Sequence, residues 1–274
     1  MLISEIFIFI LVGSFTGTIA GLMGIGGGLI YVPVLIWYFE GINLEDNLVA
    51  LVSVSTSLAI IILSIISGTI THYKHSNLVF KTALILVIGG IIGALLSTFI
   101  LIKIESGYFK LFLGAFQLLV AIRILWPGSF SKEDKKQASN IFLLLTGFVA
   151  GLISAFFGVG GGLIIVPALT IFGGFSIKKA IGTSSGYMLV ITSISLISYQ
   201  LQSQSINFPK ENFFNSIYLP AFIIIAIFAF IFNSIGATLV HKISGEKLNW
   251  IFGVGVLLIS FFNLTKSMIK LQVF

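Results

Sequence analysis

The sequence contains no cysteine and few charged residues. Of its 274 residues, 9% are charged and 57% are hydrophobic. The absence of cysteine excludes disulfides, thiolate metal sites and thiol redox chemistry. Soluble domains carry about 25% charged residues, so a content this low indicates a membrane protein.

Charged residues are also absent from the middle of the long apolar stretches. A cation carrier or a proton relay of carboxylates needs a buried acid, so this absence argues against both. The sequence shows no nucleophile–base pair, metal-ligand cluster or nucleotide-binding motif. We therefore expect that the protein is not an enzyme and that it binds no metal or cofactor. The net charge of +6 is not gathered in a basic cluster, since the densest run, "KEDKK" at 132–136, contains two acids. We therefore expect no nucleic-acid partner.

Continuous apolar runs dominate the chain. A membrane-spanning helix needs about 20 apolar residues, and the runs are continuous rather than alternating, which excludes barrel strands. The sequence therefore predicts an all-α, polytopic helical protein of the cell membrane with about 8–10 membrane segments. The runs lie at 3–23, 27–40, 47–70, 79–102, 108–126, 141–157, 161–175, 180–200, 216–240 and 248–265.

The two halves of the sequence resemble each other. "GIGGGLIYVP" at 24–33 returns as "GVGGGLIIVP" at 158–167, and the glycines at 13 and 17 return at 147 and 151. These identities indicate an internal duplication. It divides the chain into a first half (1–126), a polar linker (127–140) and a second half (141–274).

Five segments per half is an odd number, so the second half is expected to be inverted in the membrane. With inverted halves, ten lysine and arginine residues fall on the cytoplasmic side and five outside; with parallel halves the numbers are nine and six. The preference for positive residues in cytoplasmic loops therefore favours inversion. Both arrangements place the linker in the cytoplasm and the acidic loop at 40–47 outside.

The glycine clusters are unusual within apolar stretches. Glycine costs a helix interior about 1 kcal/mol relative to alanine and proline about 3 kcal/mol, so we expect each first helix to unwind there and restart. The predicted helix-break positions are Gly24, Pro33, Gly158 and Pro167.

Unwound backbone at membrane depth is tolerated only where it faces protein or a water-filled cavity, and interrupted helices at matching positions point to a transporter's substrate site. Free backbone amides at a helix start bind anions. The predicted amide donors, near the bilayer midplane, are Gly26, Gly27, Gly28, Gly160, Gly161 and Gly162. Close helix packing is the alternative; it is the favoured interpretation for Gly13, Gly17, Gly147 and Gly151.

Hydroxyl groups follow one segment later in each half, in "SVSTS" at 53–57 and "TSS" at 183–185. Hydroxyls donate to an anion without burying a charge. Ser53, Ser55, Thr183 and Ser184 are therefore candidate ligands, although such residues also bond back to their own helix. Gln117 and Asn233, within apolar segments, are predicted to form interhelical hydrogen bonds.

The doubled glycine motif, followed by "AIGTSS" at 180–185, resembles the TauE/SafE sulfite exporter family. In the first half the matching element reads "ALVSVS" at 50–55. The resemblance implies a secondary transporter that moves a small sulfur-containing anion (sulfite, thiosulfate or an organosulfonate) by alternating access. The expected partners are that anion and the lipid bilayer, and a homo-oligomer is left open. An anion channel, or a membrane-embedded accessory or scaffold protein without a transport cycle, is the alternative.

Overall fold

The computed structural model describes residues 3–125, 138–209, 211–239 and 245–270. Within these ranges the chain forms ten helices and one short hairpin. The helices are α1 (Ile3–Met23), α2 (Gly28–Gly41), α3 (Asp46–Lys74), α4 (Phe80–Leu101), α5 (Ser106–Leu125), α6 (Asn140–Phe157), α7 (Gly162–Pro167), α8 (Ile177–Gln202), α9 (Leu219–Leu239) and α10 (Gly245–Lys270).

Seven of these helices are long and apolar enough to cross a membrane: α1, α3, α4, α5, α6, α8 and α9. The predicted all-α membrane fold is thereby confirmed. The helices α2 and α7 are shorter, and α7 continues into a π-helical turn at Ala168–Phe172. Most of the linker predicted at 127–140 lies outside the described residues; α6 begins directly after Ser139, whose hydroxyl accepts a hydrogen bond from the Phe142 amide at 3.2 Å.

One element departs from the all-α expectation. Two-residue strands, β1 (Phe213–Phe214) and β2 (Ile217–Tyr218), pair antiparallel immediately before α9. The turn between them contains Asn215 at φ +49°, a left-handed conformation that asparagine tolerates better than most residues. Strands this short carry no periodic apolar signal, so the sequence pattern does not predict them.

The helices α1 and α2 form a hairpin whose tip is the first glycine break. The rings of Phe9 and Tyr38 lie 5.1 Å apart, so α2 runs back along α1 towards its beginning. The second half does the same, with the rings of Phe142 and Phe172 6.0 Å apart. In each half the short second helix therefore ends near the end of the bundle at which the first helix began.

Glycine seams bring the hairpins against the long helices of the other half. The helix α1 packs on α9 and α6 packs on α4, while α3 lies against both α8 and α9. A methyl group on Gly17 would lie 2.7 Å from Ala229 Cα, and one on Gly151 would lie 2.2 Å from the Gly90 carbonyl oxygen. Because both distances are far below van der Waals contact, these glycines are in packing seams, as the sequence predicted for them.

The connections gather at the two ends of the bundle. Glu5, Glu45 and Glu211 line one cavity of about 720 Å³, so the start of α1, the α2–α3 loop and the α8–α9 connection share one end. At the other end, the Val79 amide before α4 donates to Thr183 Oγ1 of α8 at 3.1 Å. The start of α8 and the α3–α4 loop therefore lie together, opposite the cavity.

Candidate functional site

The two glycine breaks have the same backbone conformation. Gly24, Gly26 and Gly27 have φ of +66°, +85° and +77°, and the glycines 134 positions later have +65°, +87° and +82°. Glycine reaches these left-handed angles at little cost, whereas other L-residues are strained there. The sequence therefore uses glycine because the turn between the hairpin helices requires it.

The breaks of the two halves pack directly on each other. A methyl group on Gly26 would lie 3.6 Å from Gly160 Cα, and Met188 Sδ lies beside both glycines. A methyl on Gly28 would lie 2.0 Å from the Gly158 carbonyl oxygen, and one on Gly162 would lie 2.0 Å from that of Gly24. In this conformation no anion fits between Gly26 and Gly160, although both breaks share one buried location.

Among the described residues the Gly24 amide donates to the Ala20 oxygen at 2.8 Å, but the later glycines of each break donate to no backbone oxygen. The first hydrogen bonds of α2 run from Ile30 and Tyr31 to the Gly27 oxygen, at 3.0 and 3.2 Å, and those of α7 run from Ile164 and Ile165 to the Gly161 oxygen. The amides of Gly26, Gly27, Gly28, Gly160, Gly161 and Gly162 make no backbone hydrogen bond among the described residues, and neither do those of Ile25, Leu29 and Leu163. The first N–H groups of a helix have no intrahelical acceptor, so these amides are available as hydrogen-bond donors.

Two of the predicted hydroxyl ligands are also without a partner. Ser53 and Ser55 are fully buried, and neither Oγ atom has a hydrogen-bond partner among the described residues. They flank Val54, whose Cα would lie 3.2 Å from a methyl on Gly158. Both hydroxyls therefore belong to the segment of α3 that packs on the second break.

Two further hydroxyls beside the breaks were not predicted. Thr16 Oγ1 and Ser154 Oγ are buried without a partner in the described part of the chain. Thr16 contacts the position of Gly27, and Ser154 contacts that of Gly161. Each is one of several hydroxyl residues in its apolar helix, with Ser14 and Thr18 also in α1 and Thr146 also in α6, so no sequence pattern distinguishes it from a back-bonded residue.

Thr183 and Ser184 already have bonding partners. Ser184 Oγ donates to the Gly24 carbonyl oxygen at 3.3 Å, and Thr183 Oγ1 accepts the Val79 amide. The Ser184 hydroxyl thus already donates its proton in this conformation, whereas the Thr183 hydroxyl accepts a hydrogen bond and can still donate its own proton to another group. Both residues connect α8 to elements of the first half.

The first half contains an equivalent pair at Thr56 and Ser57, beyond the "ALVSVS" element. Ser57 Oγ donates to the Gly158 carbonyl oxygen at 2.8 Å, and Thr56 Oγ1 accepts the Tyr218 amide before α9 at 3.0 Å. The Thr-Ser pair at 56–57 therefore makes bonds of the same kind as the pair at 183–184, whereas the match of "ALVSVS" with "AIGTSS" pairs Ser53 with Thr183. The dipeptide "TS", which occurs at both places in the sequence, is the signal from which this similarity could have been predicted. Each serine bonds the break of the opposite half.

The prolines lie beyond the breaks. Pro33 is within α2, which continues to Gly41, and Pro167 is the last residue of α7, before the π-helical turn. The chain therefore reverses at the glycines, while the prolines remove one backbone donor each from the short helices.

The predicted interhelical hydrogen bonds are confirmed. Asn233 Nδ2 donates to Ser64 Oγ at 3.0 Å, and Gln117 Nε2 donates to the Leu29 carbonyl oxygen at 2.8 Å. Asn263 Nδ2 in turn donates to Gln117 Oε1 at 2.8 Å. Gln117 therefore ties α5 and α10 to the first turn of α2, directly after the break.

In the described part of the chain, the side chains nearest to the break glycines carry no formal charge. The side chains in contact with the break glycines are apolar or bear a hydroxyl or thioether, for example Thr16, Tyr31, Val54, Ser154 and Met188. Within the described ranges, no group of three or more His, Asp or Glu residues could hold a metal ion. Neutral hydrogen-bond donors are thus the chemistry that this site offers.

Residues 9–262 match the sulfite exporter TauE/SafE family. The chain belongs to this family. A probable membrane transporter protein of Haemophilus influenzae is 25% identical over 92% of this chain and 95% of its own length. One of Xylella fastidiosa is 26% identical over 97% and 98%, and one of Methanocaldococcus jannaschii is 30% identical over 69% and 70%. No solved structure shows a significant match to the chain.

The match confirms the resemblance drawn from the doubled glycine motif. The family name describes an exporter and the relatives are named as probable membrane transporters, in agreement with the prediction that the chain is a transporter rather than an enzyme.

Proposed function

We propose that this chain is a secondary transporter that moves a small sulfur-containing anion (sulfite, thiosulfate or an organosulfonate) across the cell membrane by alternating access. The observation that carries the proposal is the meeting of the two glycine breaks, whose helix starts present backbone amides that donate to no backbone oxygen among the described residues. An anion supplies the missing acceptors, and a hydrogen bond to a charged group contributes about 1.5–3 kcal/mol.

Neutral donors suit a transported anion better than a buried cation. A lysine or arginine at membrane depth is expensive to bury, and its full charge would slow release of the anion. The free hydroxyls of Ser53 and Ser55 add donors without that cost. The choice of a sulfur-containing anion rests on the family description as a sulfite exporter.

The distribution of the connections supports inverted halves. In an inverted arrangement the α2–α3 loop and the α8–α9 connection share one side of the membrane, whereas in a parallel arrangement they lie on opposite sides. Glu45 and Glu211, one from each connection, line the same cavity. From the lysine bias we propose that this cavity faces outside and that the linker at 127–140 is cytoplasmic.

The crossed serine bonds suggest how the halves work together. Ser57 bonds the second break and Ser184 bonds the first, while the two breaks touch at Gly26 and Gly160. In the proposed cycle the breaks separate to admit the anion, and the serine bonds to the opposite half are released and remade as the halves rock. The structure corresponds to the state with the breaks together.

Counterflow in proteoliposomes tests this function. Protein reconstituted into vesicles should take up radiolabelled sulfite, thiosulfate or methanesulfonate at a rate that saturates with concentration. Unlabelled anion inside the vesicles should accelerate the uptake, because a carrier returns faster when loaded. Uptake that rises linearly without acceleration would indicate a channel. Uptake equal to that of protein-free vesicles for all three anions would contradict the transport proposal and favour an accessory protein.

A further inference from the structure

A carboxylate between two lysines lies at the end of α2. One oxygen of Glu40, Oε1, is bonded by Lys110 Nζ of α5, and the other, Oε2, lies 3.2 Å from Lys266 Nζ of α10. The Lys110 side chain is 4% exposed, that of Glu40 23% and that of Lys266 47%. The cluster thus extends from a buried cation to a half-exposed one.

The cluster contains more positive than negative charge, since two lysines share a single carboxylate. Partial burial opposes ionisation of Glu40, but hydrogen bonds and charges from Lys110 and Lys266 outweigh it and hold the pKa of this carboxyl below its usual range. Counted in formal charges, the cluster carries one net positive charge.

The lysines are held in place by the long helices. The helices α5 and α10 pack together, and Lys266 Nζ lies 5.1 Å from the centre of the Phe262 ring. Ser106 ties the start of α5 to α3, because its hydroxyl donates to the Asp46 carbonyl and accepts the Ala50 amide. Glu40, in contrast, is on the short helix that begins at the first glycine break.

The cluster borders the cavity at the proposed outer end of the bundle. Residues 42–45, directly after the end of α2, line that cavity. The position 134 residues after Glu40 is Gly174, so the second short helix offers no matching carboxylate. A charged site of this kind is therefore found at one end of the described bundle.

We propose that Lys110 and Lys266 form an entry site for the transported anion, and that the Glu40 carboxylate occupies this site in the present conformation. A carboxylate and a sulfur oxyanion both present negatively charged oxygens to the two ammonium groups, so an incoming anion exchanges with Glu40 when that side chain rotates away. The identity of the anion rests on the proposed function; the site itself rests on the three charged residues.

Glu40→Gln replaces the carboxylate between the two lysines with a neutral amide of the same size. Glu45→Gln is the matched control. Glu45 is an exposed carboxylate in the loop that follows α2, and no lysine pairs with it in the described part of the chain. Thiosulfate binding is measured on purified protein by thermal shift at constant ionic strength. We expect Glu40→Gln to bind thiosulfate about tenfold more tightly than the natural protein or Glu45→Gln, and Glu40→Gln with Lys110→Met to lose that gain.

Equal thiosulfate responses of Glu40→Gln and Glu45→Gln would overturn the entry site, even if the natural protein transports. A Lys110-dependent gain in binding, together with no uptake of any anion, would support the entry site and contradict the proposed function. If Glu40→Gln does not fold, Glu40→Asp tests the entry site instead. Aspartate keeps the negative charge, but its side chain is one methylene too short to bridge both lysines. This variant should bind thiosulfate about threefold more tightly than Glu45→Asp, and equal binding would overturn the proposal.

Discussion

Replacing Gly161 by alanine is expected to reduce anion uptake sharply while the protein still inserts and folds. Gly161 has φ +82°, and a methyl there would lie 3.0 Å from the Ala150 carbonyl oxygen and 3.1 Å from a ring carbon of Tyr187. A left-handed conformation costs an L-residue about 1–2 kcal/mol, so the backbone shifts and turns its amides. Losing one donor to a charged ligand should weaken affinity roughly ten- to a hundredfold, measured as uptake in proteoliposomes.

Gly174→Ala is the control for backbone strain. Gly174 has φ +70° and lies beyond the π-helical turn, away from the breaks. It should lose a similar amount of stability in a thermal unfolding measurement but keep nearly natural uptake. Normal substrate affinity in Gly161→Ala would mean that the glycines serve packing alone.

Alanine at Ser53 and Ser55 should lower the affinity for the anion without lowering the stability of the protein. A buried hydroxyl without a partner costs about 1–3 kcal/mol, so its removal should leave the melting temperature unchanged or raise it. If these hydroxyls bind the anion, the double variant should lose roughly ten- to a hundredfold in affinity. Isothermal titration and thermal unfolding of the same preparation measure both quantities.

Ser57→Ala provides the matched comparison on the same helix. Ser57 is equally buried but donates to the Gly158 carbonyl oxygen, so its removal should lower the melting temperature and leave the affinity of the folded protein within about threefold. If Ser53→Ala with Ser55→Ala binds the anion normally, those two hydroxyls are not ligands.

The helices could be predicted from the sequence because the length and continuity of apolar runs are set by the bilayer. The glycine breaks could be predicted as well, since glycine and proline are too unfavourable in a helix to be placed there twice without a reason. The β1–β2 hairpin could not, because strands of two residues leave no periodic pattern.

The register between the halves could not be read from one sequence. From Pro33 to Thr56 the chain runs 23 residues, but from Pro167 to Thr183 it runs only 16. A gap of seven residues in a connecting loop cannot be located by residue identity in an apolar chain with many serines. The bonds of Ser57 and Ser184 to opposite breaks are what relates these two segments in the structure.

The charged cluster was missed for a related reason. Glu40 is separated from Lys110 by 70 positions and from Lys266 by 226. Each residue alone looks like an ordinary charge near the end of an apolar segment. Only the packing of α5, α10 and α2 brings them together, and no local pattern encodes that packing.

The account depends most on two inverted halves that meet at their glycine breaks, and labelling of single cysteines tests this directly. The natural chain has no cysteine, so Glu45→Cys, Glu211→Cys and Lys178→Cys each offer one thiol to a membrane-impermeant maleimide. We predict labelling of positions 45 and 211 from outside and of position 178 only from the cytoplasm. Labelling of positions 45 and 178 from the same side, with position 211 opposite, would show parallel halves and contradict the account.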